Sequence, residues 1–322
     1  MRVAVLAGGR SSEHDVSLRS GASVARGLQE AGHEVVTVTI GRSGEWRDGD
    51  DQPVDLEPGG GLLAADAVFP ALHGPFGEDG SVQGLLEHLD LPYVGSDVLA
   101  SATCMDKLTL KRLFGEAGIP QVDFVAIEGS EWWGRCEALG LPLWVKPSRM
   151  GSSVGITRVA ELAQLDEAVE LALRHDPRAI VEASASGREV ECSVLGNAEP
   201  EASLPGEIVS HRDWYDFESK YTEGGMDLRV PAPIGEAAVE RVRALAVEVF
   251  KLAGCSGLAR CDFFVEPDGE ALVNEINTMP GFTDMSVFAK LFEASGLPYA
   301  QLCDRLVTLA IERHRDARSY EF

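Results

Sequence analysis

Two short apolar runs, residues 258–265 and 271–276, are joined by Glu266-Pro267-Asp268-Gly269-Glu270. This stretch narrows the fold more than any other. Asp-Gly between strand-like runs signals a hairpin, because a type I′ turn needs two residues that tolerate positive φ. With Asp268 and Gly269 at the turn centre, Asp262 is predicted to face Glu275 and Arg260 to face Asn277. Strand side chains alternate with period two, so all four share one face. Two carboxylates directly opposite repel each other. A hard cation between them reverses that sign, and Mg²⁺ commonly takes one or two carboxylates together with substrate phosphates. The hairpin reads as one wall of a Mg-nucleotide site; the alternative is an edge hairpin with a wetted polar face.

The rest of the chain alternates at first. Residues 2–8, 33–40 and 66–72 read as strands, 16–31 and the start at 81–89 as helices, and 92–95 as a short strand. Such alternation implies an open, mostly parallel sheet. A new helical stretch opens near residue 100. A helix over 109–117 stops at Gly118 and Pro120, and a strand over 141–148 leads into the glycine-serine loop 149–155. A helix around 161–173, a strand at 179–184, a polar loop at 211–227, a helix at 236–252 and a helical tail over 286–313 follow. The predicted division is 1–98, an α/β unit; 99–186, a central unit; and 187–322, a third unit that carries the hairpin. The fold class is α/β with α+β parts.

Composition excludes some partners. No apolar run reaches the ~18 residues of a membrane helix. The N-terminal MRVAVLAGG reads as a strand into a glycine turn and lacks the apolar region and cleavage site of a signal peptide. Basic residues number 28 against 52 acidic ones, a net charge of −24, which argues against nucleic acid as a partner. The 6 cysteines are scattered without C-x-x-C; they read as reduced thiols of a cytoplasmic protein.

Several further residues can carry chemistry. The loop Met150-Gly151-Ser152-Ser153-Val154-Gly155 follows Lys146 and offers backbone N–H groups for phosphate, or is a plain turn. Lys107 sits at a helix start, where the dipole disfavours a cation unless phosphate compensates it. Gly8-Gly9 after a strand lacks the G-x-G-x-x-G pattern, so a dinucleotide site fits poorly. Glu13, near a helix N-terminus, either caps it or binds an amine. His73 lies in a glycine-rich loop at the edge where open α/β sheets bind ligands, or is packed there. Glu182 and Glu189 flank a strand crossing, as nucleoside acceptors or solvated acids.

In order along the chain, HGxxGEDG, MDK, VKPSxxGSSVG, YDFESKY, ARCDFF and NEINTMPGFT resemble the D-alanine–D-alanine ligases of the ATP-grasp superfamily. The resemblance spans essentially the whole chain. It implies a three-domain ATP-grasp fold, with ATP gripped between the central and C-terminal domains. It implies that Asp262, Glu275 and Asn277 hold two Mg²⁺ ions, with Mn²⁺ as a substitute and a monovalent cation as a further activator. Arg260 and the backbone of Gly281 would stabilise the oxyanion and transferring phosphate. Lys107, Lys146 and Lys220 would neutralise phosphate charge, with Glu182, Glu189 and Phe264 around the nucleoside. Glu13 would bind the first D-alanine, and Ser152 and Tyr221 would join it in closing the site. His73, Ser286 and Val287 would serve the substrates, Ser286 through the second carboxylate. The implied reaction makes D-alanyl-D-alanine through an acyl phosphate, in a homodimer; the alternative is D-lactate or D-serine as second substrate. Tyr221 argues against lactate. Asp284 departs from the family pattern and is expected to bring negative charge near the second carboxylate, and Ala183-Ser184-Ala185 are smaller than usual.

Overall fold

The computed structural model describes residues 1–58, 60–210 and 226–320. Three sheets organise them, one within each predicted range. In the first, β1 (Arg2–Gly8), β2 (Glu34–Ile40), β3 (Trp46–Asp48) and β4 (Ala67–Pro70) run in the order β3-β2-β1-β4. β1 is parallel to β2 and β4, and β3 closes one edge antiparallel. Val3, Ala4, Val5 and Leu6 are all buried, as a strand covered on both faces requires. The expected strand at 92–95 is reduced to a single bridge between Tyr93 and Val68. Helices α1 (His14–Glu30) and α2 (Ser81–His88) follow the glycine-rich loops after β1 and β4.

Helices α3 (Val98–Met105) and α4 (Lys107–Ala117) lead to the second sheet. The Asp106 side chain accepts from the Thr109 N–H and caps α4, and Gly118 ends it in the left-handed conformation. β5 (Phe124–Ala126), β6 (Leu143–Pro147), β7 (Thr157–Val159) and β8 (Ala179–Ala183) form an antiparallel sheet in the order β5-β8-β6-β7. Helices α5 (Trp132–Leu139), which the sequence did not announce, and α6 (Leu165–His175) cover its outer face. Leu165, Ala168, Val169 and Ala172 of α6 supply the apolar stripe.

The third sheet holds β9 (Arg188–Gly196), β10 (Glu201–Ala202), β11 (Gly206–Ser210), β12 (Met226–Arg229), β13 (Gly257–Val265) and β14 (Ala271–Asn277). Its order is β12-β11-β9-β13-β14, with β10 on β9. Helix α7 (Glu236–Leu252) buries Val242, Ala246, Val249 and Phe250 against the face that carries Cys192, Cys261 and Phe263. Helices α8 (Val287–Ala294) and α9 (Tyr299–Ala317) bridge back to the first sheet. There Phe282 stacks on Phe69, Phe288 and Tyr299 at centroid distances of 5.2, 5.4 and 5.7 Å.

The hairpin forms, but its turn is not type I′. Gly269 alone of the central pair has positive φ, at 85°. Its N–H reaches the Glu266 carbonyl at 2.8 Å, and Glu266 pairs with Glu270. Pro267 presets the φ of a type I turn, and Gly269 closes it as a left-handed bulge, which makes a three-residue loop. That loop shifts the register by one. A bulge at Asn274 on β14, opposite the step between Asp262 and Phe263, shifts it back. Asp262 therefore still pairs with Glu275, and Arg260 with Asn277.

Candidate active site

The second and third sheets, with loops of the first unit, enclose a cavity of about 300 Å³. Its lining holds Glu13, His73, Lys107, Lys146, Ser152, Glu182, Glu189, Arg260, Asp262, Phe264, Glu275, Asn277 and Gly281. Thirteen of the residues singled out from the sequence thus meet in one place. Lys220 and Tyr221 lie outside the described residues.

On the hairpin wall, Arg260 donates from Nε and Nη2 to the two carboxylate oxygens of Asp262, both at 2.7 Å. Arg260 Nε also lies 2.9 Å from Glu191 on β9. Asn277 Nδ2 donates to Asp262 at 3.1 Å, and Lys107 Nζ stands 3.4 Å from Glu275. The facing acids are thus balanced by one arginine and one lysine. Their donor set is two carboxylates plus an amide oxygen, all hard ligands, and it fits Mg²⁺ completed by phosphate oxygens. Among the described residues, no group of three or more His, Cys, Asp or Glu side chains could hold a metal on its own.

Opposite the hairpin, Lys107 is the first residue of α4, and its ammonium donates to the Met150 carbonyl at 3.0 Å. Lys146, near the end of β6, pairs with Glu182 at 2.5 Å. Glu182 also pairs with buried Lys111 at 3.2 Å. Burial alone would raise the Glu182 pKa, but the two ammoniums hold it down to about 2. The same carboxylate lifts Lys146 above its usual range against burial. Glu182 is thus an anion held between two lysines, and it lines the cavity. Glu189 is exposed at the start of β9, and Phe264 pairs with it across the sheet. Ser184, in the small-residue linker, accepts from Trp144 Nε1 at 3.0 Å and donates to the Pro142 carbonyl at 2.9 Å.

Glu13 occupies the N-cap position of α1, yet its side chain makes no capping hydrogen bond. It is buried, and the Ser152 hydroxyl donates to it from the glycine-serine loop. Of the two sequence readings for Glu13, the cap is therefore excluded. Nearby Glu78 accepts from the Gly74 N–H at 2.7 Å and from the Met279 N–H at 3.4 Å. Burial, reinforced by the charge of Glu13, raises its pKa to about 8.

His73 lines the cavity, and both of its ring nitrogens have protein partners. Its Nδ1–H donates to the Met279 carbonyl at 2.9 Å, which leaves Nε2 to accept from the Ser20 hydroxyl at 2.8 Å. Burial lowers its pKa and keeps it neutral. Ser20 Oγ in turn accepts from the Phe282 N–H at 3.3 Å. His73 and Ser20 thus pin both sides of Gly281. Ser286 heads α8 without capping it and accepts from the Thr283 N–H at 2.9 Å. The Val287 side chain is turned away, into a cluster with Ile208 and Leu291. Neither residue lines the cavity. Asp284 points outward: its carboxylate meets Arg26 at 3.5 Å and is about half exposed. The expected negative charge beside the second carboxylate is therefore directed away.

Three contributors were missed. Glu191 follows Glu189 at period two and faces the hairpin from β9. Lys111 follows Lys107 by one helical turn. Glu78 stands in the GEDG segment whose histidine alone was singled out.

Comparison with known proteins agrees with this arrangement. The profile described as D-ala D-ala ligase N-terminus matches residues 2–64 and 54–96, and that described as D-ala D-ala ligase C-terminus matches residues 113–308. The D-alanine–D-alanine ligase of Solibacter usitatus is 45% identical over 325 residues, covering 100% of this chain and 99% of that one. The Deinococcus radiodurans ligase of the same name is 46% identical, covering 97% and 98%. Among solved structures, the D-alanine–D-alanine ligase from Coxiella burnetii superposes with a TM-score of 0.90 at 36% identity, covering 99% and 96% of the two chains. The VanG D-Ala:D-Ser ligase from Enterococcus faecalis gives 0.88, also at 36% identity, covering 96% and 99%. With both profiles and full-length relatives in agreement, the chain belongs to the D-alanine–D-alanine ligase family.

Proposed function

We propose that this protein joins two D-alanine molecules into D-alanyl-D-alanine at the expense of ATP, as a step of peptidoglycan precursor synthesis. The observation that carries this reading is the cavity wall: Asp262 and Glu275 face each other, flanked by Arg260, Lys107 and Lys146. Phosphoryl transfer is mostly positioning and charge neutralisation, and this wall supplies both. Asp262, Glu275 and the Asn277 amide oxygen would hold Mg²⁺, which when bound offsets the charge of the ATP phosphates.

Lys107 and Lys146 neutralise the nucleotide phosphates, and Lys220 does so from outside the described residues. Glu182, Glu189 and Phe264 bound the nucleoside. Glu13 receives the ammonium of the first D-alanine and orients its carboxylate toward the terminal phosphate. Once the carboxylate has taken the terminal phosphate, with ADP as the leaving group, the amine of the second D-alanine attacks the acyl phosphate carbonyl, and collapse of the tetrahedral intermediate expels inorganic phosphate as the amine gives up its proton. Arg260 and the Gly281 N–H then face the developing oxyanion; one preorganised donor of this kind is typically worth about 3–4 kcal/mol. Ser286 and the N-terminal amides of α8 take the second carboxylate, where the helix dipole favours an anion. Ser152 holds Glu13, and Tyr221 completes the closure that keeps water from the acyl phosphate.

The units 1–98, 99–186 and 187–322 frame this reading, with ATP between the second and third. A cytoplasmic location is supported by six buried, unpaired thiols. A homodimer belongs to the same reading, and sedimentation would test it. The functional test is phosphate release from Mg·ATP with D-alanine, L-alanine, or D-alanine plus D-serine or D-lactate, with product masses. Release with D-alanine alone, giving the dipeptide, is expected. Turnover only with a mixed pair would overturn the assignment of the second substrate, and no release with any pair would overturn the activity.

A further inference from the structure

Lys111 has no part in the chemistry above, yet it is the most completely buried cation near the cavity. It is 1% exposed, on α4, with its ammonium 3.2 Å from Glu182 and 5.7 Å from the centre of the Phe124 ring. It does not line the cavity, whereas Lys146, on the other side of the same carboxylate, does. Two ammoniums thus share one buried anion. More distant acids, Glu275 and Glu189, act on Lys146 through space and offset part of the surplus positive charge.

Lys146 has two candidate partners, Glu182 and a nucleotide phosphate. Turning to the phosphate costs little only if Glu182 keeps a counter-ion. Glu182 is 2% exposed, and a buried carboxylate stripped of its partner is strongly unfavourable. We propose that Lys111 is a positioning residue that keeps Glu182 ionised and in place while Lys146 exchanges it for the nucleotide phosphates. This inference rests on the reading that the cavity binds ATP. Lys111 does not line the cavity; it lowers the cost of freeing Lys146, so it matters more for ligands that carry phosphate than for the bare nucleoside.

The test compares Mg·ADP with adenosine, each measured by competition against a fluorescent ADP analogue, on wild type and Lys111→Met. Methionine conserves most of the packing volume. ADP is expected to bind the variant about tenfold more weakly or worse, with adenosine, which offers Lys146 no phosphate, weakened clearly less. A structural defect in the base pocket would weaken both ligands alike, and that result overturns the proposal. So does ADP affinity equal to wild type, or a loss confined to adenosine. If Lys111→Met fails to fold by circular dichroism, Lys111→Gln carries the same comparison. If wild type binds neither ligand, the ATP reading itself falls, a result distinct from any of these.

Discussion

Glu78 offers a test of the site that needs no substrate. Its pKa stands at about 8 instead of the ordinary 4.5, because burial and the neighbouring charge of Glu13 both disfavour its ionised form. Two backbone N–H groups, from Gly74 and Met279, offset this only in part. Between those two pH values the folded protein holds a proton that the unfolded chain has released. Stability therefore falls as pH rises from about 4.5 to about 8, since the folded state binds more protons throughout that window. Every pH unit that separates the folded and unfolded values corresponds to about 1.36 kcal/mol, so the window amounts to at most about 5 kcal/mol. Glu78 retains some solvent contact, so about 2–4 kcal/mol is expected after allowing for screening. Glu78→Gln removes the titration. It also gives up one carboxylate acceptor, a loss that does not vary with pH. Urea unfolding of ligand-free wild type and variant, near pH 5 and near pH 8, isolates the difference, because the other titrating groups are common to both. Wild type is expected to lose about 2–4 kcal/mol more than the variant between the two conditions. Equal losses would refute the burial argument and place the Glu78 proton in free exchange with solvent.

Other perturbations separate the parts of the site. Asp262→Ala leaves Arg260 without its bidentate partner and removes one proposed metal carboxylate; turnover is expected to fall by roughly a hundredfold or more with the far-ultraviolet circular dichroism retained, and near-normal turnover would remove Asp262 from the metal set. Asp284→Ala breaks only an exposed pair with Arg26, worth about 0–1 kcal/mol. The KM for the second D-alanine should stay within about twofold, and a larger change would show that the Asp284 charge reaches the substrate. Phe282→Ala opens the ring cluster with Phe69, Phe288 and Tyr299, and chemical denaturation should register a loss of about 3–5 kcal/mol.

Local chemistry made much of the molecule legible. Helix α7 ends where its pattern ends, and α4 stops at Gly118 because a left-handed cap there costs glycine nothing. The hairpin shows the limit of such reading. Its functional pairs were right although its turn was wrong, because two one-residue shifts cancel: Pro267 favours a three-residue loop, and the bulge opposite Asp262 restores the phase. Neither shift alone would have left both acids on the cavity face. What period and turn chemistry could not supply was adjacency between strands far apart in sequence. Glu191 becomes a partner of Arg260 only because β9 lies beside β13. Glu182 becomes an internal anion only because α4 brings Lys111 behind β8. The partners of His73 and Asp284 were hidden for the same reason: Ser20, Met279 and Arg26 come from segments with no local signal linking them. A polar residue's type restricts which bonds it can make; whether substrate or protein receives them is decided by which distant segment is packed against it. At this site the protein takes both nitrogens of His73, and the Asp284 carboxylate goes to Arg26.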